Sequence, residues 1–151
     1  MRRALFALAA CAIGMSSPAS AQQADVMSVI THGVDAFNKG DTKTFASTCA
    51  SETSIIDEFP PHEWHGSGAC ERWMSDYDSN AKRNGITDGV VTLGKPSHVD
   101  VTGDYAYVVI LSTYTWKEKG VAKREDGSAF TFALHKTAAG WKFAGWSWAK
   151  K

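Results

Sequence analysis

Apolar and polar positions alternate most plainly in the last third of the chain. There, Tyr105–Glu118, Ser128–Lys136 and Gly140–Ala149 carry aromatic and β-branched residues at every second position. Polar stretches containing Gly separate the three. Period-two alternation with such breaks predicts an antiparallel meander with one buried face.

The first half follows a different period. Val26, Ile30, Gly33, Val34 and Phe37 recur at spacings of three and four and predict a helix over Ala24–Lys39. Asn38-Lys39-Gly40 ends it. Asp41 is a natural N-cap for a short helix through Cys49, with Phe45 and Cys49 one turn apart on its core side. Glu52–Phe59 reads as a strand stopped by Pro60-Pro61, and His62–Gly66 as a loop. From Ser67 to Arg83, Cys70, Trp73, Met74, Tyr77 and Ala81 mark one helical face. Asn84-Gly85 turns the chain out. Ile86–Leu93 and Ser97–Val101 then predict two short strands before the Gly103-Asp104 turn. Helices early and strands late define an α+β domain, with the helices on one side of an antiparallel sheet.

The extreme N-terminus stands apart from this pattern. Arg2 and Arg3 precede an apolar run from Ala4 to Met15, and Pro18-Ala19-Ser20-Ala21 follows. A basic start, a short apolar run and an A-x-A site form a secretory signal peptide, so residues 1–21 are expected to be removed and the mature domain to span 22–151. The run is too short to anchor the chain in a bilayer. Leu8-Ala9-Ala10-Cys11 offers a rival reading as a lipoprotein signal, with Cys11 lipidated, but Cys11 comes early and the apolar run continues past it. The expectation is export to the periplasm or medium.

At 151 residues and 44% hydrophobic, the chain is one globular domain. Loss of Arg2 and Arg3 would leave 14 basic against 16 acidic residues, a net charge of −2. With no basic stripe, this argues against nucleic acid or an anionic membrane as partner. Cleavage would also leave Cys49 and Cys70. Both sit on core-facing stripes, which is compatible with a disulfide in an oxidising compartment and equally with two buried thiols.

In their order, these segments resemble the nuclear transport factor 2-like superfamily, and within it the SnoaL-like branch. The similarity is carried by a helix ending in FNKGD, the strand TSIIDEF, a loop ending Trp64-His65-Gly66 and a helix bearing Trp and Tyr. GDYAYVV, GSAFTFALHK and GWKFAGWSWA complete it. It covers essentially the whole mature chain. The resemblance implies a cone, in which a strongly bent antiparallel sheet wraps the long helix and leaves a cavity at its wide end. Members include isomerases, dehydratases, cyclases, epoxide hydrolases and non-catalytic binding modules, so fold does not settle function. It also implies a homodimer paired through the sheet.

Several residues are candidates for chemistry. Asp57 alternates with Ile55 and Phe59, and burial would raise its pKa and suit it to acid–base work. A solvated position at the strand end is the plain alternative. Enzymes of this resemblance use a cavity carboxylate with Tyr or His partners, which brings in His32 on the first helix and His135 on the Ser128 strand. His135 is inside if the small-residue face of its strand lines the cavity, and outside if the Phe130, Phe132 and Leu134 face does. His62-Glu63-Trp64-His65 is one residue short of the H-E-x-x-H zinc motif and reads as loop, with no metal expected.

Six Trp exceed what a small core requires, and Trp64, Trp73, Tyr77, Tyr107, Tyr114, Trp146 and Trp148 are expected to line an apolar cavity. Trp116 joins the aromatic set. No phosphate loop, G-x-S-x-G elbow or Cys–His nucleophile pair is present. The reading is therefore an exported domain that binds a small, largely apolar or mixed-polarity molecule. Its alternatives are a cofactor-independent isomerase, dehydratase or cyclase and a dimeric interaction module.

Overall fold

The computed structural model describes residues 18–151. Most of the expected leader, including Cys11, lies outside the described residues. Three helices come first: α1 (Pro18–Asn38), α2 (Thr42–Thr48) and, after two strands, α3 (Ala69–Asn84). The strands are β1 (Cys49–Ile56), β2 (Glu63–Gly66), β3 (Ile86–Thr102), β4 (Tyr105–Glu118), β5 (Val121–Thr137) and β6 (Gly140–Ala149). They form one six-stranded sheet in the order β2-β1-β6-β5-β4-β3. It is a curved, unclosed sheet with the helices on its inner side, the α+β architecture of nuclear transport factor 2-like and cystatin-like folds.

The helices form where the sequence predicts them, with shifted ends. α1 starts earlier than Ala24, so the expected cleavage point after Ala21 falls in its first turns. Val26, Ile30 and Val34 are its buried stripe, each worth about 1.5–3 kcal/mol of apolar burial. Asp41 caps α2 by accepting the Thr44 N–H at 3.0 Å. α3 ends at Gly85 in the left-handed region, whose N–H bonds back to Ala81 and Lys82. A disulfide joins Cys49, at the start of β1, to Cys70 in the first turn of α3. It ties α3 to the sheet.

Several local expectations change. His62–Gly66 is not simply a loop: Glu63–Gly66 forms β2, pairing antiparallel with β1. Four residues are too few for a visible period, yet Trp64 points inward between exposed Glu63 and His65. β1 ends at Ile56 rather than Phe59, and the Pro60-Pro61 bond is cis. Ile86–Leu93 and Ser97–Val101 are one strand, β3, whose register shifts near Pro96 made it read as two. Within the otherwise antiparallel sheet, β1 runs parallel to β6, because α3 and the meander intervene between them.

A bulge in β5 carries the largest consequence. Ser112 pairs with Ser128, but Thr113 pairs with Asp126, leaving Gly127 unpaired at φ 75°. Glycine reaches that conformation without a Cβ clash. The inserted residue reverses the strand's parity. Ser128, Phe130, Phe132 and Leu134 are buried on the even positions, and beyond the bulge the buried residue is Glu125.

Candidate functional site

Between the helices and the concave face of the sheet lies a cavity of about 110 Å³. Its wall is aromatic. Phe37 comes from α1, Phe45 from α2, Trp73 and Tyr77 from α3, Phe130 and Phe132 from β5, and Trp146 and Trp148 from β6. Trp73 is the hub, with ring centres 5.4 Å from Phe37, 5.3 Å from Phe45 and 4.7 Å from Trp146. Offset and edge-on pairs of this kind hold one another rigidly and leave a gap that none of them fills.

The polar groups enter from the rim. Asp57 follows β1 in the turn that leads to β2, where its N–H bonds to the His62 carbonyl at 3.0 Å. Its side chain turns into the cavity. Oδ2 accepts the Trp73 indole N–H at 2.9 Å, and Oδ1 accepts the Glu58 N–H at 2.6 Å. Burial pushes the carboxyl up to about 7 against the pull of those two donors, with the nearby Glu58 and Glu125 charges adding to the rise.

Across the cavity the Tyr77 and Tyr114 hydroxyls lie 2.6 Å apart. Burial raises both phenols above their usual range, Tyr114 the more. Behind Trp148, Glu125 accepts the Trp148 indole N–H at 3.0 Å and the Ser128 hydroxyl. Lys150 lies 2.9 Å from Glu125 and 3.3 Å from Glu58, bridging β5 to the turn after β1. Burial alone would raise Glu125. The bonds from Ser128, Lys150 and Trp148 outweigh it and hold this carboxyl below the usual range.

The sequence candidates separate into two groups. Asp57, Trp73, Tyr77, Tyr114, Trp146 and Trp148 line the cavity. The others do not. His32 is exposed on the outer side of α1. His135 lies on the outer face of β5, where it stacks on Tyr105 with ring centres 4.8 Å apart. That settles its strand's facing: the large residues are inside. Tyr107 alternates with buried Ala106 and Val108 and is 47% exposed. Trp64 is buried behind Phe59, its N–H on Asp76 at 2.8 Å. The partner of Asp57 is therefore an indole, where an acid–base dyad was expected to use Tyr or His.

Sequence reasoning missed Glu125, Ser128 and Lys150. Glu125 stands in a polar run, REDGS, and only the bulge at Gly127 turns it inward. The DG pair was the available signal. His62-Glu63-Trp64-His65 brings no ligand set together, and no group of three or more metal-ligating side chains occurs among the described residues. No described helix is long and apolar enough to cross a membrane.

The architecture matches known proteins along most of its length. Residues 26–147 match the SnoaL-like domain family, and the chain belongs to it. Solved structures agree in fold. A nuclear transport factor 2-like superfamily protein from Salmonella enterica superposes with a TM-score of 0.73 at 14% identity, covering 87% of this chain and 92% of that one. An NTF2-like protein with a cystatin-like fold from Novosphingobium aromaticivorans gives 0.71 at 16%, covering 87% and 83%. A ketosteroid isomerase-like protein from Erwinia carotovora gives 0.65 at 19%, covering 85% and 95%. No curated protein matches the sequence. At such identities the structural likeness establishes the fold and leaves activity open.

Proposed function

We propose that this chain binds a compact, largely apolar molecule in the cone cavity, one that carries a hydrogen-bonding group. The observation that carries the reading is the Trp146 indole. It lines the cavity and is buried, and its N–H has no hydrogen-bond partner among the described residues. A buried donor left unmade costs about 1–3 kcal/mol, which an acceptor on a bound molecule would remove. At about 110 Å³ the cavity is smaller than the roughly 150 Å³ apolar cavity that accommodates benzene, which makes a single ring the upper bound on the apolar body it encloses. Titration with benzyl alcohol, followed by tryptophan fluorescence, tests the reading, and native mass spectrometry of freshly purified protein looks for the resident ligand. Saturable quenching that Trp146→Phe weakens supports it. Unchanged fluorescence up to millimolar ligand, with no adduct in the mass spectrum, overturns it.

A second reading is favoured by Asp57. A cavity carboxyl titrating near 7 is matched to proton transfer at neutral pH. Asp57 would remove a proton from carbon, and the Tyr77–Tyr114 pair would donate to the oxygen that gains charge. That is the chemistry of a cofactor-free isomerase, dehydratase or cyclase. Asp57→Asn would then abolish turnover while ligand still binds. Equal loss of both would speak against catalysis.

Export is proposed on the basic-apolar-Ala-x-Ala start, and the Cys49–Cys70 disulfide is the bond expected of an oxidising compartment. N-terminal sequencing after cell fractionation tests it; a Gln22 start in the periplasm or medium is the expected result. The outer sheet face exposes Tyr105, Tyr107 and Leu111, and a second copy of the chain is proposed to cover it. A monomer in light scattering at micromolar concentration would refute that.

A further inference from the structure

The polar side chains of the cavity wall are largely bonded to one another. Trp73 Nε1 donates to Asp57 Oδ2 at 2.9 Å and the Glu58 N–H donates to Oδ1 at 2.6 Å, so each oxygen of that carboxyl already accepts a bond. Trp148 Nε1 donates to Glu125 at 3.0 Å. Glu58 meets Lys150 at 3.3 Å, and the Asn80 side-chain oxygen accepts the Asn84 amide at 3.0 Å. Trp146 is different. Its ring forms part of the wall and is 5% exposed, and its Nε1 has no partner. Among the described residues, no other member of the wall has a buried polar side-chain atom left unmatched.

The balance of donors and acceptors points to what is missing. The Tyr77 and Tyr114 hydroxyls carry two hydrogens between them, and their contact at 2.6 Å uses one. Burial keeps a proton on Asp57 up to about 7, which adds a third donor at lower pH. The wall is thus long in donors, and the group it lacks is an acceptor. Charge narrows the choice. Asp57 and Glu58 line the cavity and no Lys, Arg or His does so among the described residues, so a carboxylate or phosphate would be desolvated there without a cation. An ammonium has donors only and cannot take up the Trp146 N–H. A hydroxyl accepts, yet brings one more hydrogen into a wall already long in them. A carbonyl oxygen has two lone pairs and no hydrogen.

We infer that the cavity selects a neutral carbonyl compound, a small ring whose apolar body packs against Trp73 and whose oxygen accepts the Trp146 N–H. This rests on the reading of the cone as a small-molecule site and names the chemical class it takes. Trp146 then sets specificity. The apolar wall holds any ring of the right size, and the indole N–H, in a pocket of low dielectric where a hydrogen bond is strong, picks out the ring that carries a carbonyl. Its position is fixed from several sides. The Trp146 ring meets Trp73 edge-on at 4.7 Å and Phe130 at 5.6 Å, and its backbone lies between β1 and β5, opposite Ile55 and Phe132.

Three rings of one size provide the test: cyclopentanone, cyclopentanol and cyclopentane, titrated into the full-length protein and followed by tryptophan fluorescence. Cyclopentanone is expected to bind at least about tenfold more tightly than cyclopentane and at least about threefold more tightly than cyclopentanol. The carbonyl stretch of bound cyclopentanone should lie at lower frequency than in an apolar solvent, and one indole N–H resonance in proton–nitrogen NMR should move downfield on binding. Trp146→Phe should remove the ketone preference and the infrared shift while cyclopentane still binds. Because that variant alters a packed residue, the wild-type infrared and NMR shifts serve as independent readouts. If cyclopentanol binds and cyclopentanone binds no better, or if the bound carbonyl is unshifted, the carbonyl inference falls while the cavity reading stands. If none of the three binds at millimolar concentration, both fall.

Discussion

The Tyr77 hydroxyl on α3 and the Tyr114 hydroxyl on β4 meet at 2.6 Å directly beneath Gly89 of β3. A Cβ on Gly89 would sit 2.6 Å from each oxygen. The neighbouring Asp88 has φ 56° and the β3–β4 register shifts between Thr87 and Val90, so the strand is locally reshaped at this point. The hydroxyl pair exists because β3 carries no side chain there. Gly89→Ala is expected to part the two phenols and destabilise the fold by about 1–3 kcal/mol in urea denaturation. Tyr114→Phe keeps the volume and strands one buried hydroxyl, at a similar cost. If Gly89→Ala leaves stability unchanged, the hydroxyls do not meet there.

Asp57 makes stability depend on pH in an unusual direction for a carboxylate. Its folded value, about 7, lies above its ordinary 3.8. Between these values the unfolded chain has released the proton and the folded chain still holds it. The contribution is thus full below about pH 4 and is lost as pH rises through about 7, up to roughly 4 kcal/mol as an upper limit. Asp57→Asn should therefore be more stable than wild type at about pH 8, and the gap should close toward about pH 4. Melting temperatures across that range would read it. A constant difference at all pH values would mean that Asp57 ionises freely.

Glu125 has the opposite sign. Its folded value is depressed, so its stabilisation is present above the ordinary carboxylate range and lost as pH falls through the folded value. Glu125→Ala would strand the Trp148 N–H and the Ser128 hydroxyl, and should cost about 2–4 kcal/mol. Lys150→Ala removes a cation that is itself half-exposed but leaves the buried Glu125 carboxylate without its ion partner, and should cost about 1–2 kcal/mol, less than Glu125→Ala; high salt would reproduce only part of it in the wild type. Chemical denaturation of the two variants side by side separates these contributions.

The Cys49–Cys70 bridge closes a segment with a sequence separation of 21. Constraint of the unfolded chain by a loop of that size is worth about 3 kcal/mol. A Cys49→Ser/Cys70→Ser double variant should shift the urea midpoint accordingly. Reductant should affect the wild type and leave the double variant unmoved. Equal midpoints with and without reductant would show that no bridge forms.

Periodicity carried most of this architecture. β4 and β6 begin and end where alternation says, because each runs unbroken with one face buried. α3 was readable from Cys70, Trp73, Met74 and Tyr77, whose spacing leaves one solution. What escaped were effects that no period encodes. β3 was split in two because its register shifts break the alternation around Pro96. β2 hid in four residues. Asn38 gives no local sign that its amide bonds both the N–H and the carbonyl of Val91 at 2.8 Å, fastening α1 to β3. The cavity's aromatic members were mostly legible because large apolar residues on a buried face must go inward. Its charged rim was not, since Glu125 and Lys150 sit among exposed polar neighbours. His135 was open to either face until the inward run Phe130, Phe132 and Leu134 decided the facing, and the same facing puts Tyr107, expected in the cavity, on the outside.

Gly127 divides β5 into two phases. On its C-terminal side, even-numbered residues build the floor of the cone. On its N-terminal side, Glu125 is what turns inward, behind Trp148, while Arg124 and Asp126 pair on the outside at 2.7 Å. Deleting Gly127 would remove the bulge and still leave Asp126 facing out and Glu125 facing in, with Phe130, Phe132 and Leu134 in place, so the insertion sets which residue number turns inward. Because Glu125 also holds the Trp148 indole and the Ser128 hydroxyl, a substitution there changes the cavity's border and the stability of the fold together, while positions 121 to 124 are exposed.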